Sequence, residues 1–234
     1  MLILALDTSS RDGSAAVVRD HAIAIERAGD GSRTHTERLP SELMAVLREA
    51  GVDLKDVERL AVVVGPGSFT GLRVGIATIQ GLALARDLLV TPVSTFDALA
   101  WHARGEGDAI AAWVDAHRGE VFATLLAADG RTALEPASSL APEATLDAWH
   151  ASLGPHARVR FVGDGAVRYR DAISRRLGAR AEIDTQVPPS AAAAGRIAAA
   201  EPDRAVRPHA VVPCYVRRPD VEIVRDRRRA AATS

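Results

Sequence analysis

Residues 2–6, 60–64 and 110–114 are unbroken apolar runs, reading Leu-Ile-Leu-Ala-Leu, Leu-Ala-Val-Val-Val and Ile-Ala-Ala-Trp-Val. A short run with no polar alternation fits a strand covered on both faces. Each run ends in a polar or glycine-containing turn, and helical periodicity follows further along. The chain is therefore predicted to build mixed sheets beneath helices. After the first run, Asp7-Thr8-Ser9-Ser10-Arg11-Asp12-Gly13 turns into a return strand over 14–18, and Ile23 and Ile25 alternate with alanine in a third. A helix is expected from near Thr36 or Pro40, because Leu39, Leu43, Val46, Leu47 and Ala50 recur at three-and-four spacing and Gly51 ends it. Pro40 suits a first turn but would kink a helix that began earlier. The second run breaks into Gly65-Pro66-Gly67-Ser68-Phe69-Thr70-Gly71, followed by a predicted helix over 72–86, a strand over 88–93 and a helix over 95–103.

Polar, glycine-rich residues 104–108 mark a boundary, and the pattern then restarts. A strand over 110–114 ends in Asp115, a turn reaches Gly119, and 121–127 returns. Helices are expected over 142–152, 166–178 and 189–200, with strands near 158–163 and 180–184. The order of elements reads as an internal duplication of a ββ-plus-αβ unit.

Charge and cysteine content narrow the function classes. Twenty-nine basic and 30 acidic residues leave a net charge of −1, so no field of one sign drives the whole chain toward nucleic acid or membrane. Any such contact must be local. From Arg217 to Ser234, six arginines face three acids, which reads as a frayed end or as a phosphate-contacting arm. No apolar run approaches the roughly 18 residues of a membrane helix, and Met1 leads directly into a strand. A cytoplasmic protein without membrane contact is expected. The single cysteine, Cys214, excludes an intramolecular disulfide and a thiolate zinc cluster from this chain alone. Lys55, the only lysine, lies between Asp53 and Asp56, which removes a Walker loop and a Schiff-base mechanism.

The loop at 65–71 stops a strand and opens a helix, an arrangement that aims backbone N–H groups at an anion. It lacks the third glycine of G-x-G-x-x-G, and the order around Ser68 is not that of a nucleophile elbow. Glycines here also serve a tight turn and close helix packing, so both readings stay open. Gly75, Thr78, Gly81 and Ala85 fall roughly on one side of the following helix as a flat face of small residues. Glycine inside a helix costs about 1 kcal/mol relative to alanine, so the face calls for a compensating contact, within the chain or with a partner. Asp7-Thr8-Ser9 is open to phosphate binding, metal ligation or turn capping. Gly163-Asp164-Gly165 is a second strand-to-helix glycine turn. The seven histidines form no H-x-x-H, H-x-x-x-H or H-E-x-x-H pair, and no Ser-His-Asp order can be defended.

Together these segments resemble a known family. Residues 65–75, G-P-G-S-F-T-G-L-R-V-G, resemble the signature of the TsaB (YeaZ) family, bacterial proteins required for making threonylcarbamoyladenosine on tRNA beside the anticodon. Leu6-Asp7-Thr8-Ser9, His35-Thr36-Glu37-Arg38-Leu39, Asp115-Ala116-His117-Arg118-Gly119-Glu120-Val121-Phe122, Val162-Gly163-Asp164-Gly165 and Pro213-Cys214-Tyr215-Val216-Arg217 match in the same order. The resemblance covers about 1–217.

It implies an α/β fold of two duplicated ribonuclease-H-like lobes of the actin/hexokinase/Hsp70 (ASKHA) type. The lobes would span 1–106, carrying the docking helices, and 107–217, with a basic tail over 218–234. Relatives of that fold bind ATP between the lobes, and the corresponding, vestigial pieces here would be Asp7, Thr8, Ser9, Asp115, Gly163 and Gly165. The catalytic partner TsaD carries a metal-binding histidine pair that this chain lacks. The resemblance thus implies a paralogue with no catalytic residue, no metal and no cofactor. It would pair directly with TsaD and, with TsaE in the complex, support transfer of threonylcarbamoyl to tRNAs reading codons that begin with A. Contact with tRNA would come through the complex, and the chain alone would form a homodimer. The docking helices at 36–50 and 72–86 place His35, Leu39, Leu43, Arg73, Gly75, Thr78, Gly81 and Ala85 at the interface. Rival readings are an ATP-dependent phosphotransferase or ATPase and a metallopeptidase, the latter opposed by the missing histidine pair.

Overall fold

A computed structural model describes residues 1–217; the expected basic tail lies outside them. The chain forms two mixed five-stranded sheets of matching order. In the first, β1 (Leu2–Asp7) pairs antiparallel with β2 (Ser14–Arg19), which pairs with β3 (Ala22–Ala28). On its other side β1 runs parallel to β4 (Arg59–Gly65), which pairs with β5 (Val90–Ser94). Helices α1 (His35–Glu49), α2 (Phe69–Arg86) and α3 (Thr95–Trp101) complete this half.

The second sheet repeats the plan. Its centre β6 (Ala109–Asp115) is antiparallel to β7 (Val121–Ala127), then β8 (Ala133–Leu140), and parallel to β9 (Val159–Val162), then β10 (Ala181–Ile183). Helices α4 (Pro142–Ala148), α5 (Asp164–Arg168) and α6 (Arg170–Leu177) accompany it.

The fully apolar run at β1 is sandwiched as its sequence requires. Leu4 and Leu6 face Leu39, Leu43, Val46 and Ile79 of α1 and α2, while Ile3 and Ala5 face helix α7 (Ala191–Ala200). The alanines of α7 permit that close approach, and a Cβ at Gly195 would come within 2.6 Å of Val18. Helix α7 follows β10 in the chain yet packs on the first sheet. Conversely, Phe96 and Leu99 of α3 pack with Ile110, Ala112 and Val162 of the second. Helix α3 also touches β4, β5 and α7 and sets Ala98 in the first core, so α3 and α7 together tie the lobes into one body. Trp113, Trp149 and Phe161 centre the second core, with edge-on ring pairs at 6.0 and 5.5 Å.

Several boundaries differ from expectation. Helix α1 begins at His35, one residue before the earlier of the two expected starts, Thr36 and Pro40, because the Glu37 carboxylate accepts from both the N–H and the hydroxyl of Thr34, at 2.9 and 2.8 Å. Pro40 then sits in the second turn. Helix α2 starts three residues earlier than predicted, capped by Ser68, whose Oγ accepts from the Gly71 N–H at 3.2 Å. The expected helix 166–178 is two, broken at Tyr169. Strand β8 was not expected: it is an edge strand, largely exposed and containing Pro136, so no apolar alternation announces it.

Candidate functional site

Two concave surfaces are candidates. The larger is a cleft of about 920 Å³ between the lobes, lined by the turn after β1, the loop before α1, the start of α2, the β6–β7 turn, and Tyr215 and Arg217. One buried side chain, Arg38 of α1, organises its upper wall. Its Nη1 donates to the Glu42 carboxylate at 2.7 and 2.8 Å, and its Nη2 donates to the carbonyls of Arg11 and Asp12 and to His35 Nδ1 at 2.8 Å. A Cβ at Gly29 would overlap the guanidinium, so Gly29 is what lets the second loop close over it. His35 passes the constraint on, with Nε2 3.0 Å from the Ser10 carbonyl. Nε2 therefore carries the proton and Nδ1 accepts from Arg38, the network of a neutral imidazole. Burial, with the Arg38 charge behind it, holds the His35 pKa below its ordinary value.

The carboxylates at this cleft are engaged by their own chain. Asp7 is buried and accepts the Ser9 N–H at 2.7 Å, the bond of a turn cap. Desolvation pushes its pKa up. Asp115 accepts the His117 N–H at 3.0 Å, and its carboxylate lies 3.3 Å from both His117 Nδ1 and Arg168 Nη1. Asp164 accepts the Asp115 N–H at 3.0 Å, and burial raises its pKa. Of the expected nucleotide pieces, Ser9 and Asp115 line the cleft. Asp7 and Thr8 lie buried. Gly163 and Gly165 serve packing instead. A Cβ on either would strike the backbone of Trp113, so both let α5 lie against the end of β6.

The glycines of 65–75 resolve in the same way. A Cβ at Gly67 would strike Ser9, and at Gly71 or Gly75 it would strike Thr8. The Ser68 N–H donates to the Ser9 carbonyl at 2.6 Å. Close packing of α2 on the β1 turn accounts for this loop. Among the described residues, no three His, Cys, Asp or Glu side chains gather so as to hold a metal ion, and no helix is long and apolar enough to cross a membrane.

The second surface is an apolar groove of about 350 Å³ between α1 and α2, lined by Leu43, Met44, Leu47, Thr78, Gly81 and Leu82 among others. Met44 is 49% exposed and Leu84, on the outer side of α2, is 70% exposed. The expected interface residues divide. Leu39 and Leu43 belong to the core beneath α1, although Leu43 also lines the groove, and Gly75 packs against buried Thr8. Gly81 and Ala85 are exposed, and a Cβ at Gly81 would meet nothing within 4 Å. Thr78 is half-buried, its hydroxyl donating to the Val74 carbonyl at 2.8 Å. Arg73 is exposed at the cleft end of α2, and His35 turns into the cleft. Of the small residues, Thr78 and Gly81 thus share the groove while Gly75 packs inward. Sequence reasoning also missed Phe69, Tyr215, Arg11 and Arg33 in the cleft wall; the first stands inside the glycine motif, but nothing in its spacing announces an exposed ring.

Comparison with known proteins adds a second line of observation. The family model of TsaD, described as tRNA N6-adenosine threonylcarbamoyltransferase, matches residues 29–152. The tRNA threonylcarbamoyladenosine biosynthesis protein TsaB of Escherichia coli is 38% identical over 125 residues, 52% of this chain and 53% of that protein. The chain thus spans about half the length of the curated relatives it matches. The structure of YeaZ from Pseudomonas aeruginosa superimposes with a TM-score of 0.76 at 30% identity, covering 92% of this chain and 99% of that one. The ADPNP-bound activator of 2-hydroxyisocaproyl-CoA dehydratase from Clostridium difficile, 13% identical, shares the fold at a TM-score of 0.53 over 87% of this chain and 96% of its own.

Proposed function

The chain belongs to the TsaB/YeaZ family, and from that premise we propose that it is a non-catalytic scaffold subunit in the making of threonylcarbamoyladenosine on tRNA. In this reading it works in the cytoplasm and docks TsaD directly through the α1–α2 face, while TsaE joins through TsaD. TsaD performs the transfer of threonylcarbamoyl to the adenosine beside the anticodon. The tRNA meets this chain through the complex, and the same face pairs two copies when no partner is present.

The observation that carries the reading is the unpartnered apolar groove between the two longest helices, with Met44 open to water in its wall and Leu84 exposed on the outer side of α2. Side chains of that kind on a concave helical face suit ridge-into-groove packing by a partner's helices. The state of the cleft supports it. Asp7 and Asp115 each cap their own turn and Asp164 accepts the Asp115 N–H, so each acid a phosphotransferase would need as base or metal ligand spends an oxygen on its own backbone.

Titration calorimetry with purified TsaD tests the docking. Leu84→Glu and Gly81→Leu should each weaken binding by roughly 30-fold or more, the effect expected of a central interface residue. Both positions are exposed, so the fold should survive either change. Unchanged affinity in both variants removes the α1–α2 assignment. The chain alone should show neither peptidase nor ATPase turnover, and robust turnover in either assay overturns the scaffold reading.

A further inference from the structure

Among the described residues, Phe69 and Tyr215 are the aromatic side chains left open to water, 40% and 37% exposed, and both line the interlobe cleft. Their ring centroids lie 5.4 Å apart with the planes 30° from parallel. Arg73 fixes them there: its guanidinium carbon stands 3.8 Å from the Phe69 centroid, and its Nε donates to the Tyr215 hydroxyl at 3.1 Å. The rings therefore form a held platform.

The walls around the platform are cationic and hydroxylated. Arg11 reaches the Gly31 carbonyl through Nε at 2.8 Å, and Arg33 reaches the Glu37 carbonyl at 3.4 Å. Neither pairs with a carboxylate among the described residues, although both line the cleft. Ser10, Ser32, Thr34, Ser68 and Thr70 line it as well. The acids there, Asp115 and Asp164, already hold partners within the chain. Apolar surface is present as well, from Val74, Val114, Ala116 and Phe122 beside the two rings. A nucleotide strand would find a π-face for a base, unpaired guanidinium groups for phosphates and hydroxyls for sugar oxygens.

We infer that the mouth of this cleft is a site for single-stranded RNA, with one base stacked on the Phe69–Tyr215 platform and flanking phosphates on Arg11 and Arg33. The choice of RNA over other polynucleotides rests on the function proposed above; the stacking site itself does not. Base stacking is indifferent to salt whereas phosphate contact is not, and that difference separates this platform from any phosphate contact made by the arginines of 218–234.

The test is fluorescence anisotropy of a short labelled oligoadenylate against the full-length chain over a salt series. Phe69→Leu and Tyr215→Leu keep apolar bulk but remove the ring, and each should weaken binding by roughly 5- to 150-fold with an unchanged salt slope. Phe69→Trp should restore binding. Arg11→Gln with Arg33→Gln should instead flatten the slope by about 1.4, two phosphates of a single strand. Three results overturn the inference: no binding by the unaltered chain, wild-type affinity in both leucine variants, or AMP bound as tightly as the oligonucleotide. If the leucine variants lose TsaD affinity while keeping the oligonucleotide, the platform is a protein contact and the inference also fails. Because the oligonucleotide is read on the isolated chain, its failure leaves the docking reading standing, and failure of TsaD docking leaves this site standing.

Discussion

Two glycines in one helix should respond to the same substitution with opposite signs. In α2, alanine replaces glycine with a gain of about 1 kcal/mol in helix propensity at either position. At Gly81 nothing opposes that gain, because the added methyl meets no heavy atom within 4 Å. At Gly75 the methyl collides with the Thr8 side chain, and Thr8 is buried at the end of β1, with its carbonyl already pressed against Gly71. Thr8 has nowhere to retreat. Overpacking costs about 1–3 kcal/mol, and so close an approach to a side chain that cannot move belongs in the upper part of that range, about 2–3 kcal/mol, so a net loss of about 1–2 kcal/mol remains after the propensity gain. For a chain of this size 1 kcal/mol moves Tm by roughly 2–4 °C. Gly81→Ala should therefore raise Tm by about 2–4 °C, and Gly75→Ala should lower it by about 2–8 °C. The residues are six apart along the helix, roughly 9 Å, so the double variant should show the sum. Thermal unfolding followed by circular dichroism should be run at one low protein concentration, because self-association would make Tm depend on it. A Gly75→Ala protein as stable as the parent, or a Gly81→Ala protein less stable, would refute the assignment of one glycine to the core and the other to the surface.

Arg38→Gln should cost at least about 2 kcal/mol in urea unfolding, because a buried charged donor to Glu42 and to two carbonyls is lost; a loss under about 0.5 kcal/mol would remove Arg38 as the organiser of the cleft wall. Asp7 supplies a pH test. Its folded pKa is raised by burial, so its contribution to stability is full below the unfolded value of about 3.9 and is lost as pH rises through the folded pKa. Asp7→Asn keeps an acceptor for the Ser9 N–H and should melt above the parent at neutral pH, with the gap closing toward pH 4. A gap that is constant or inverted between pH 4 and 8 shows that desolvation of Asp7 is not what the fold opposes. His35 runs the other way: its pKa is lowered, so its contribution is present above about 6.5 and is lost as pH falls. Following the His35 proton resonances through a pH titration should give an inflection below that of a free imidazole, and one above it contradicts the Arg38 contact.

What could be read from the sequence was what local chemistry decides. The runs at 2–6, 60–64 and 110–114 became the central strands β1, β4 and β6 because nothing but double-sided burial accommodates them. The restart after residue 107 became a second sheet of the same order. Strand β8 escaped because its pairing comes from the β7 edge and not from its own residues; Pro136 and the two exposed positions at its start, Ala133 and Leu134, speak against a strand. Of the two starts expected for α1, the one near Thr36 falls within a residue of His35, and the one at Pro40 fails because Thr34 and Glu37 cap the helix earlier. The packing of α7 on the first sheet and of α3 between the two sheets leaves no trace in local pattern, because alanines at 191–194 state only that some surface comes close.

The site was harder for a related reason: one residue type serves both outcomes. Leu39 and Leu43 recur at helical spacing because they fill the chain's own core, and of the two Leu43 also lines the groove, so periodicity alone does not separate core from contact surface. A better signal was the apolar residue that falls off the buried stripe. In α1, Met44 stands beside the stripe of Leu39, Leu43, Val46 and Leu47. In α2, Leu72, Ile76, Ile79 and Ala83 already satisfy the sheet, yet Leu82 and Leu84 follow on other sides, with alanines at 77 and 85. A helix apolar nearly all round is stable in water only when two of its sides are covered. The sheet covers one side of α2, and the exposed Leu84 marks the side on which this chain offers no cover of its own among the described residues.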